Sequence, residues 1–389
     1  MKLLPKNFKV KLGLEVLLED TSFYAGSKVG LLTNHTGLTN NLKQNIDLIQ
    51  ASKDLSLKRL FSPEHGIRGQ AGAEENIGDM VDPISGLPVV SLFGERKKPP
   101  VEMLKDLDIL FYDIQDLGLR YYTYSSTLLL AIESCYQADT KLIVLDRPNP
   151  LGSQISGNIG SNNYSSFIGP DNLPYCYGLT SGELALWYQK YYLNQADVEV
   201  IPSEGYSGKP YSSDDYRWVP TSPAIPSARI AQLYPYTCHL DSVGLDNGVG
   251  TANPFEYFGA PWLNPVKLIE KLETYELKGL NWRPVYYRKA SKGFESSEMQ
   301  GLHLYLDNPE SASVEGFNLA ILEIIFKDYP EKVNWKIWSE KEDYFFDYFM
   351  KTAELRKDLL AGRPIEEILM EWSEEREEFK GEVEKIRLY

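Results

Sequence analysis

The chain has 389 residues, of which 43% are apolar and 12% aromatic, and a formal net charge of −15. At this length two domains are the default, and the acidic balance excludes a nucleic-acid partner, because phosphate binding needs a basic stripe and none is visible. The three cysteines, Cys135, Cys176 and Cys238, form no CxxC pair, which excludes a disulfide framework or a zinc ribbon and leaves them as small buried apolar residues.

The N-terminal run "MKLLPKNFKVKLGLEVLLED" breaks its apolar stretches with Lys2, Lys6, Lys9 and Lys11, and Pro5 sits where a leader's apolar stretch would be. No apolar run is long enough to span a bilayer, so the chain reads as cytoplasmic, or as periplasmic or secreted if a leader was removed. Next, "KVGLLTN" (28–34) predicts a strand, "NLKQNIDLIQAS" a helix and "LKRLFSP" (57–63) a second strand. "PVVSLFG" (88–94) predicts a third strand, "VEMLKDL" a short helix and "DILFYDIQD" (108–116) a fourth strand. The helix "SSTLLLAIESCYQA" and a fifth strand, "KLIVLDRPNP" (141–150), complete this part. Strands alternating with helices predict an α/β fold, with a Rossmann-like, mostly parallel sheet and helices on both faces.

After Pro150 the stretch "LGSQISGNIGSNNYSSFIG" is rich in Gly, Ser and Asn, and marks a domain boundary or a long functional loop. The expected division is a first domain over 1–160 and a smaller α+β domain over 161–389, with a cleft between them. In the second part "TSGE" (180–183) signals a capped helix start, and "VEVIPS" and "GLHLYL" read as short strands. Residues 222–262 are dense in Pro, Gly and aromatics with little periodicity, the mark of a loop system kept for function. The acidic "EEILMEWSEEREEFKGEVEK" has helical apolar spacing and reads as a solvated helix face.

Each early strand ends in polar residues: Thr33-Asn34-His35, Glu64-His65, Asp113-Gln115-Asp116, and Asp146-Arg147-Asn149. In open parallel sheets ligands bind beyond the carboxyl ends of the strands, so these groups are expected along one edge. Neither a GxGxxG turn nor a Walker loop is present, and no nucleotide or other cofactor is expected. Glu64 and His65 are adjacent and lack HExxH or HxH spacing, so no metal site is expected either.

Six motifs stand in order: "GLLTNHTG", "FSPEHGIRG", "DIQDLGLRYYTY", "LDRPNP", "GLTSGELA" and "GLDNGVGTANPFEYFGAPW". Together they resemble the exo-β-N-acetylmuramidase family, from about Val29 to the closing "LY". The resemblance implies a Rossmann-like N-terminal domain, a smaller C-terminal domain and a cleft between them. It also implies hydrolysis of terminal, non-reducing β-1,4-linked N-acetylmuramic acid in peptidoglycan fragments during cell-wall turnover, with a saccharide or muropeptide as partner. Two positions depart from the family pattern: Tyr177 stands near a usual histidine, and Val249 where many members have arginine. Those departures keep two other readings open, a non-catalytic muropeptide- or sugar-binding protein and an esterase or deacetylase using the same cleft.

Glycoside hydrolysis needs an acid for the leaving oxygen and a second group that supplies or replaces the nucleophile. From the residues alone Glu64 would cap or pair locally, for example with Arg68; with the family resemblance it is the expected acid, since a carboxyl at the end of a buried strand can hold a proton near neutral pH. His65 would orient it or bind a sugar hydroxyl. Asp113 and Asp116 face opposite ways in an extended segment. Asp116 is the expected second carboxylate, and Asp113 a substrate contact or a turn anchor. Arg68 and Arg120 follow strand-end carboxylates and would grip the lactyl carboxylate of muramic acid, or else form internal ion pairs. Asn34, His35 and Asn149 would bind sugar hydroxyls or the acetamide, and Asn253 and Glu256 would add contacts from the second domain.

Overall fold

The computed structural model describes residues 7–69, 78–288, 298–338 and 341–389. Helix α1 (Gly13–Leu17) precedes strand β1 (Lys28–Thr33), and α2 (Asn45–Gln50) leads to β2 (Ser56–Ser62). Strands β3 (Met80–Val81), β4 (Pro88–Ser91) and β5 (Ile109–Asp113) follow, then α3 (Tyr124–Ala138) and β6 (Lys141–Leu145). The helix expected at "VEMLKDL" is a single 3-10 turn, Val101–Met103. The run between Pro100 and β5 is too short to offset the cost of helix nucleation.

The glycine- and serine-rich stretch after Pro150 is no plain linker. It forms the hairpin β7 (Ile155–Ile159) and β8 (Pro174–Tyr177), after which α4 (Ser181–Tyr192) returns the chain to the sheet as β9 (Val198–Ile201). Helix α4 starts where the motif predicts. Thr180 Oγ1 accepts from the Glu183 N–H at 3.1 Å, and Glu183 Oε2 accepts from the Thr180 N–H at 3.1 Å.

The main sheet has seven strands in the order β3-β4-β2-β1-β5-β6-β9, all parallel except β3. Its last strand lies at 198–201, beyond the 1–160 expected for the first domain. Side chains alternate between two cores, as the period of a strand requires. Val29, Leu31, Ile109, Phe111, Ile143 and Leu145 pack with Leu14, Leu17, Ile46 and Ile49 of α1 and α2. Leu32, Leu110, Tyr112, Leu142 and Val144 point the other way, into a core shared with α3, α4 and the C-terminal part. Burial on both faces explains why these strands read as unbroken apolar runs.

From β1 the chain winds outward through β2 to β4, then crosses back to β5 on the other side of β1. The order therefore reverses between β1 and β5, where Thr33 pairs with Asp113. Such a switch point leaves a crevice beyond the strand ends.

The C-terminal part holds α5 (Ala228–Thr237), β10 (Tyr257–Ala260), α6 (Pro265–Leu272), β11 (Leu280–Tyr287), β12 (Met299–Leu306) and α7 (Val314–Asp328). Helices α8 (Phe345–Met350), α9 (Glu354–Ala361) and α10 (Ile365–Val383) close it. Its antiparallel sheet runs β10-β12-β11. Helix α10 buries Ile365, Ile368, Trp372, Phe379 and Val383, while glutamates such as Glu367, Glu374 and Glu378 stay exposed. No helix among the described residues is long and apolar enough to cross a membrane.

Candidate active site

A cleft of about 740 Å³ opens between the two parts, at the carboxyl edge of the sheet. Glu64, Tyr121 and Tyr122 line it from the first part, and Asp241, Asp246, Val249, Phe255, Lys336 and Phe349 from the second. Glu64 follows β2 directly after Pro63. The next two residues, His65 at φ 74° and Gly66 at φ 76°, turn the chain sharply through the left-handed region. This region costs a non-glycine residue energy and is found where surroundings enforce it, often at functional sites. Thr123 donates to Glu64 Oε2 at 2.8 Å and so fixes the half-buried carboxylate.

The strand-end residues come to one edge as expected, but most are consumed there by the fold. Asp113 is fully buried. It accepts from Arg147 Nε at 2.6 Å and from Asn45 Nδ2 at 2.7 Å, so it anchors the sheet edge and touches no cleft. Asn34 accepts from the Thr36 N–H and hydroxyl, and its amide donates to the Tyr124 hydroxyl at 2.8 Å. His35 pairs through Nε2 with the Pro220 carbonyl at 2.7 Å, and burial holds the ring below its usual pKa, so it is a neutral donor. Asn149 donates to the Leu179 carbonyl and accepts from the Leu151 N–H. A Cβ at Gly118, where φ is 73°, would stand 2.2 Å from the Asn149 amide, so only glycine fits there. These polar side chains hold turns because a strand-end loop must satisfy its own backbone groups when buried.

The two arginines expected to grip a carboxylate do other work. Arg120 has no exposed surface. Its guanidinium donates to the carbonyls of Asn158 (2.8 Å), Leu173 (2.8 Å) and Met350 (2.9 Å), and burial lowers its pKa to about 10. It ties the β5–α3 loop to hairpin β7–β8 and to the end of α8. Arg68 forms a two-pronged pair with Asp82 at 2.9 and 2.7 Å, which raises its pKa and holds the Asp82 carboxyl far below the usual range. His65 is 5% exposed and lines a separate small void with Val89 and Ser91 rather than the cleft.

Asp116 also differs from expectation. It is 6% exposed and does not line the cleft; the Tyr177 hydroxyl donates to its Oδ2. The residue that departs from the family pattern is thus the partner of the buried carboxylate. Burial raises the Asp116 pKa to about 6, against the pull of Tyr177 and of the Leu117 and Gly118 N–H groups. Between an ordinary 3.8 and about 6 the folded chain keeps a proton that the unfolded chain has lost. Stability must therefore fall as pH rises through that window. Asp146, raised to about 6 by burial, acts in the same sense. Asp116→Asn keeps an acceptor for Tyr177 and cannot ionise. Its melting temperature is expected to lose part of the decline between pH 4 and 6, with Asp146 supplying the rest; a pH series of thermal melts checks this, and an unchanged slope refutes it.

In the second part Glu256 is buried. It accepts from Arg229 Nε at 2.8 Å and Asn253 Nδ2 at 2.6 Å, and lies 3.3 Å from His303 Nε2. Neither Glu256 nor Asn253 lines the cleft; they brace the loop that presents Phe255. Among the described residues no three His, Cys, Asp or Glu side chains converge on a metal position.

Sequence reasoning missed Tyr121, Tyr122, Asp241, Asp246 and Lys336 as cleft residues. The buried hydroxyls of Tyr121 and Tyr122 lie near those of Tyr175 and Thr221 without good hydrogen-bond geometry. A sugar hydroxyl or acetamide in the cleft would complete them. Asp246 accepts from the Tyr287 hydroxyl at 2.8 Å and the Gly248 N–H at 2.9 Å, and Lys336 lies 3.3 Å from Asp241. The signal was present: the tyrosines follow Arg120 in one quoted motif, and Asp246 is the first charged residue of another.

Comparison with known proteins gives a consistent picture. The N-terminal family model of the exo-beta-N-acetylmuramidase NamZ matches residues 29–229, and the C-terminal one residues 232–389. The peptidoglycan beta-N-acetylmuramidase NamZ of Bacillus subtilis (strain 168) is 33% identical over 388 residues, which is 99% of this chain and 92% of the relative. A crystal structure of a DUF1343 family protein from Bacteroides fragilis NCTC 9343 superposes with a TM-score of 0.89 at 33% identity, covering 98% of this chain and 99% of that one. A second DUF1343 structure from the same organism gives 0.73 at 28% identity, with the same coverage.

Proposed function

We infer, on the premise that the chain belongs to the exo-β-N-acetylmuramidase NamZ family, that Glu64 is the proton donor of its reaction. The chain is a glycosidase that removes terminal N-acetylmuramic acid from peptidoglycan fragments. The observation that carries the role of Glu64 is its place. Of the carboxylates expected at the sheet edge, it alone lines the cleft, on a left-handed turn beside the switch point. Glu64 protonates the leaving glycosidic oxygen as the bond to the anomeric carbon breaks. The second carboxylate comes from the opposite wall, where Asp246 is steadied by Tyr287. Tyr121 and Tyr122 hold the sugar through the hydroxyls that lack a well-formed bond. Asp116 is a positioning residue beneath them; burial raises the Tyr122 pKa, and the nearby charge of Asp116 raises it further.

The test is release of nitrophenol from a chromogenic β-N-acetylmuraminide, together with the products from a peptide-free disaccharide. Free N-acetylmuramic acid from the non-reducing end is expected. Binding without release would leave a carbohydrate-binding protein, and release of acetate or of the lactyl group would point to a deacetylase or another hydrolase.

A further inference from the structure

A second cavity, of about 480 Å³, lies between α3 and α4 under the segment 165–172, and the reaction does not use it. Its volume is that of a small-ligand site. The segment is shared with the cleft, since Ile168 lines the cleft while Phe167 and Gly169 line the cavity. Lys351, itself buried, holds the segment in place by donating to the Gly169 carbonyl at 2.7 Å.

Four features describe what would fit. Lys97 stands at the cavity with its ammonium 4.3 Å from the Phe93 ring centre and 4.6 Å from that of Phe167. Among the described residues Lys97 has no ion pair, and the two carboxylates that line the cavity are held by other lysines, Glu133 by Lys98 at 3.9 Å and Asp171 by the buried Lys351, so an anion could approach Lys97. Ser126 is 6% exposed, lines the cavity, and its hydroxyl has no partner; the Ser166 hydroxyl is likewise buried and unpartnered. A buried hydroxyl without a partner costs stability unless something completes it. On another wall Glu133 accepts from the Tyr188 hydroxyl at 2.9 Å and lies 3.9 Å from Lys98, which still leaves lone pairs for a further donor. Tyr188 stacks on Tyr192, with planes 12° apart, and Tyr192 is 45% exposed at the cavity.

An anionic group for Lys97, hydroxyl or amide donors for Glu133, and an apolar face for the aromatic lining together describe an acidic sugar. We propose that this cavity is a second saccharide site, distinct from the hydrolytic cleft, that takes an acidic amino sugar through its carboxylate. That the sugar is N-acetylmuramic acid rests on the peptidoglycan reading above; that it is an acidic saccharide rests on the cavity. A glycan held there keeps its end near the cleft and raises its local concentration.

The experiment titrates the full chain carrying Glu64→Gln, which prevents turnover, with the peptide-free disaccharide of N-acetylmuramic acid and N-acetylglucosamine, read by calorimetry. Two sugars per chain are expected. Adding Lys97→Met, a change at a half-exposed side chain that leaves the fold intact by circular dichroism, should weaken the second site tenfold or more and leave the first. Tyr192→Ala should do the same by removing the aromatic face. Amidating the lactyl carboxylate should abolish the second site. A single site in the parent chain, or two sites that survive Lys97→Met, overturns the proposal. A free stem peptide that binds there in a Lys97-dependent way, while the peptide-free sugar does not, overturns its saccharide identity. The hydrolase reading fails separately, if the wild-type chain releases no nitrophenol.

Discussion

Replacing Glu64 with glutamine is expected to lower kcat on a natural disaccharide by about two to four powers of ten, with little change in melting temperature. General acid catalysis contributes about that range. Glutamine keeps the size of the side chain and an oxygen that accepts from Thr123, so the 2.8 Å contact survives. It cannot give up a proton. On a nitrophenyl glycoside the loss should be much smaller, because a good leaving group needs little protonation. A capping role for Glu64 would give the opposite pattern, a stability loss of about 1 kcal/mol with kcat spared. Measuring kcat on both substrates beside thermal unfolding separates the two. An early-melting Glu64→Gln chain that turns over the disaccharide at the wild-type rate would remove Glu64 from the chemistry.

Arg120→Met should act on stability rather than on recognition. The guanidinium completes the buried carbonyls of Asn158, Leu173 and Met350. Removing it takes a charged donor from all three, although the Leu173 carbonyl keeps the Gly160 N–H and the Met350 carbonyl keeps the Asn158 amide; each hydrogen bond to a charged group is worth about 1.5–3 kcal/mol. A loss of about 3–5 kcal/mol is expected after partial relaxation, visible as a melting temperature lower by roughly 5–10 °C. Arg120→Lys should not rescue it, because a single ammonium cannot serve a fork of carbonyls. The KM for the muramic substrate should stay unchanged in the folded fraction. Had Arg120 gripped the lactyl carboxylate, KM would rise and the melt would not move, and that result would overturn the clamp.

Both predictions turn on a difference between kinds of information in the chain. Local physics settled the element pattern. Apolar runs such as Val29–Leu32 and Ile109–Tyr112 had to be strands buried on both faces, and Thr180 with Glu183 had to start a helix. The alternation of strands and helices then required a parallel sheet, and the parallel sheet required its polar strand ends to share one edge. The order of motifs was enough to recognise the family. Local physics alone gives Glu64 a cap or a pair with Arg68; the family resemblance makes it the expected acid, and the folded chain adds its place in the cleft.

What local physics could not settle was which polar group at that edge faces solvent. Asp113 and Asp116 look alike in sequence, yet one is spent on Arg147 and Asn45 and the other on Tyr177, a residue 61 positions further on. Arg120 looks like a ligand-binding arginine until hairpin β7–β8 and the end of α8, 230 residues away, close over it. Asp246 and Lys336 reach the cleft only because the C-terminal part folds back over the switch point. A charged side chain's role depends on what is left within a few ångströms to pair with it once the chain is compact. That pairing is set by long-range packing, which one residue's sequence neighbours do not encode.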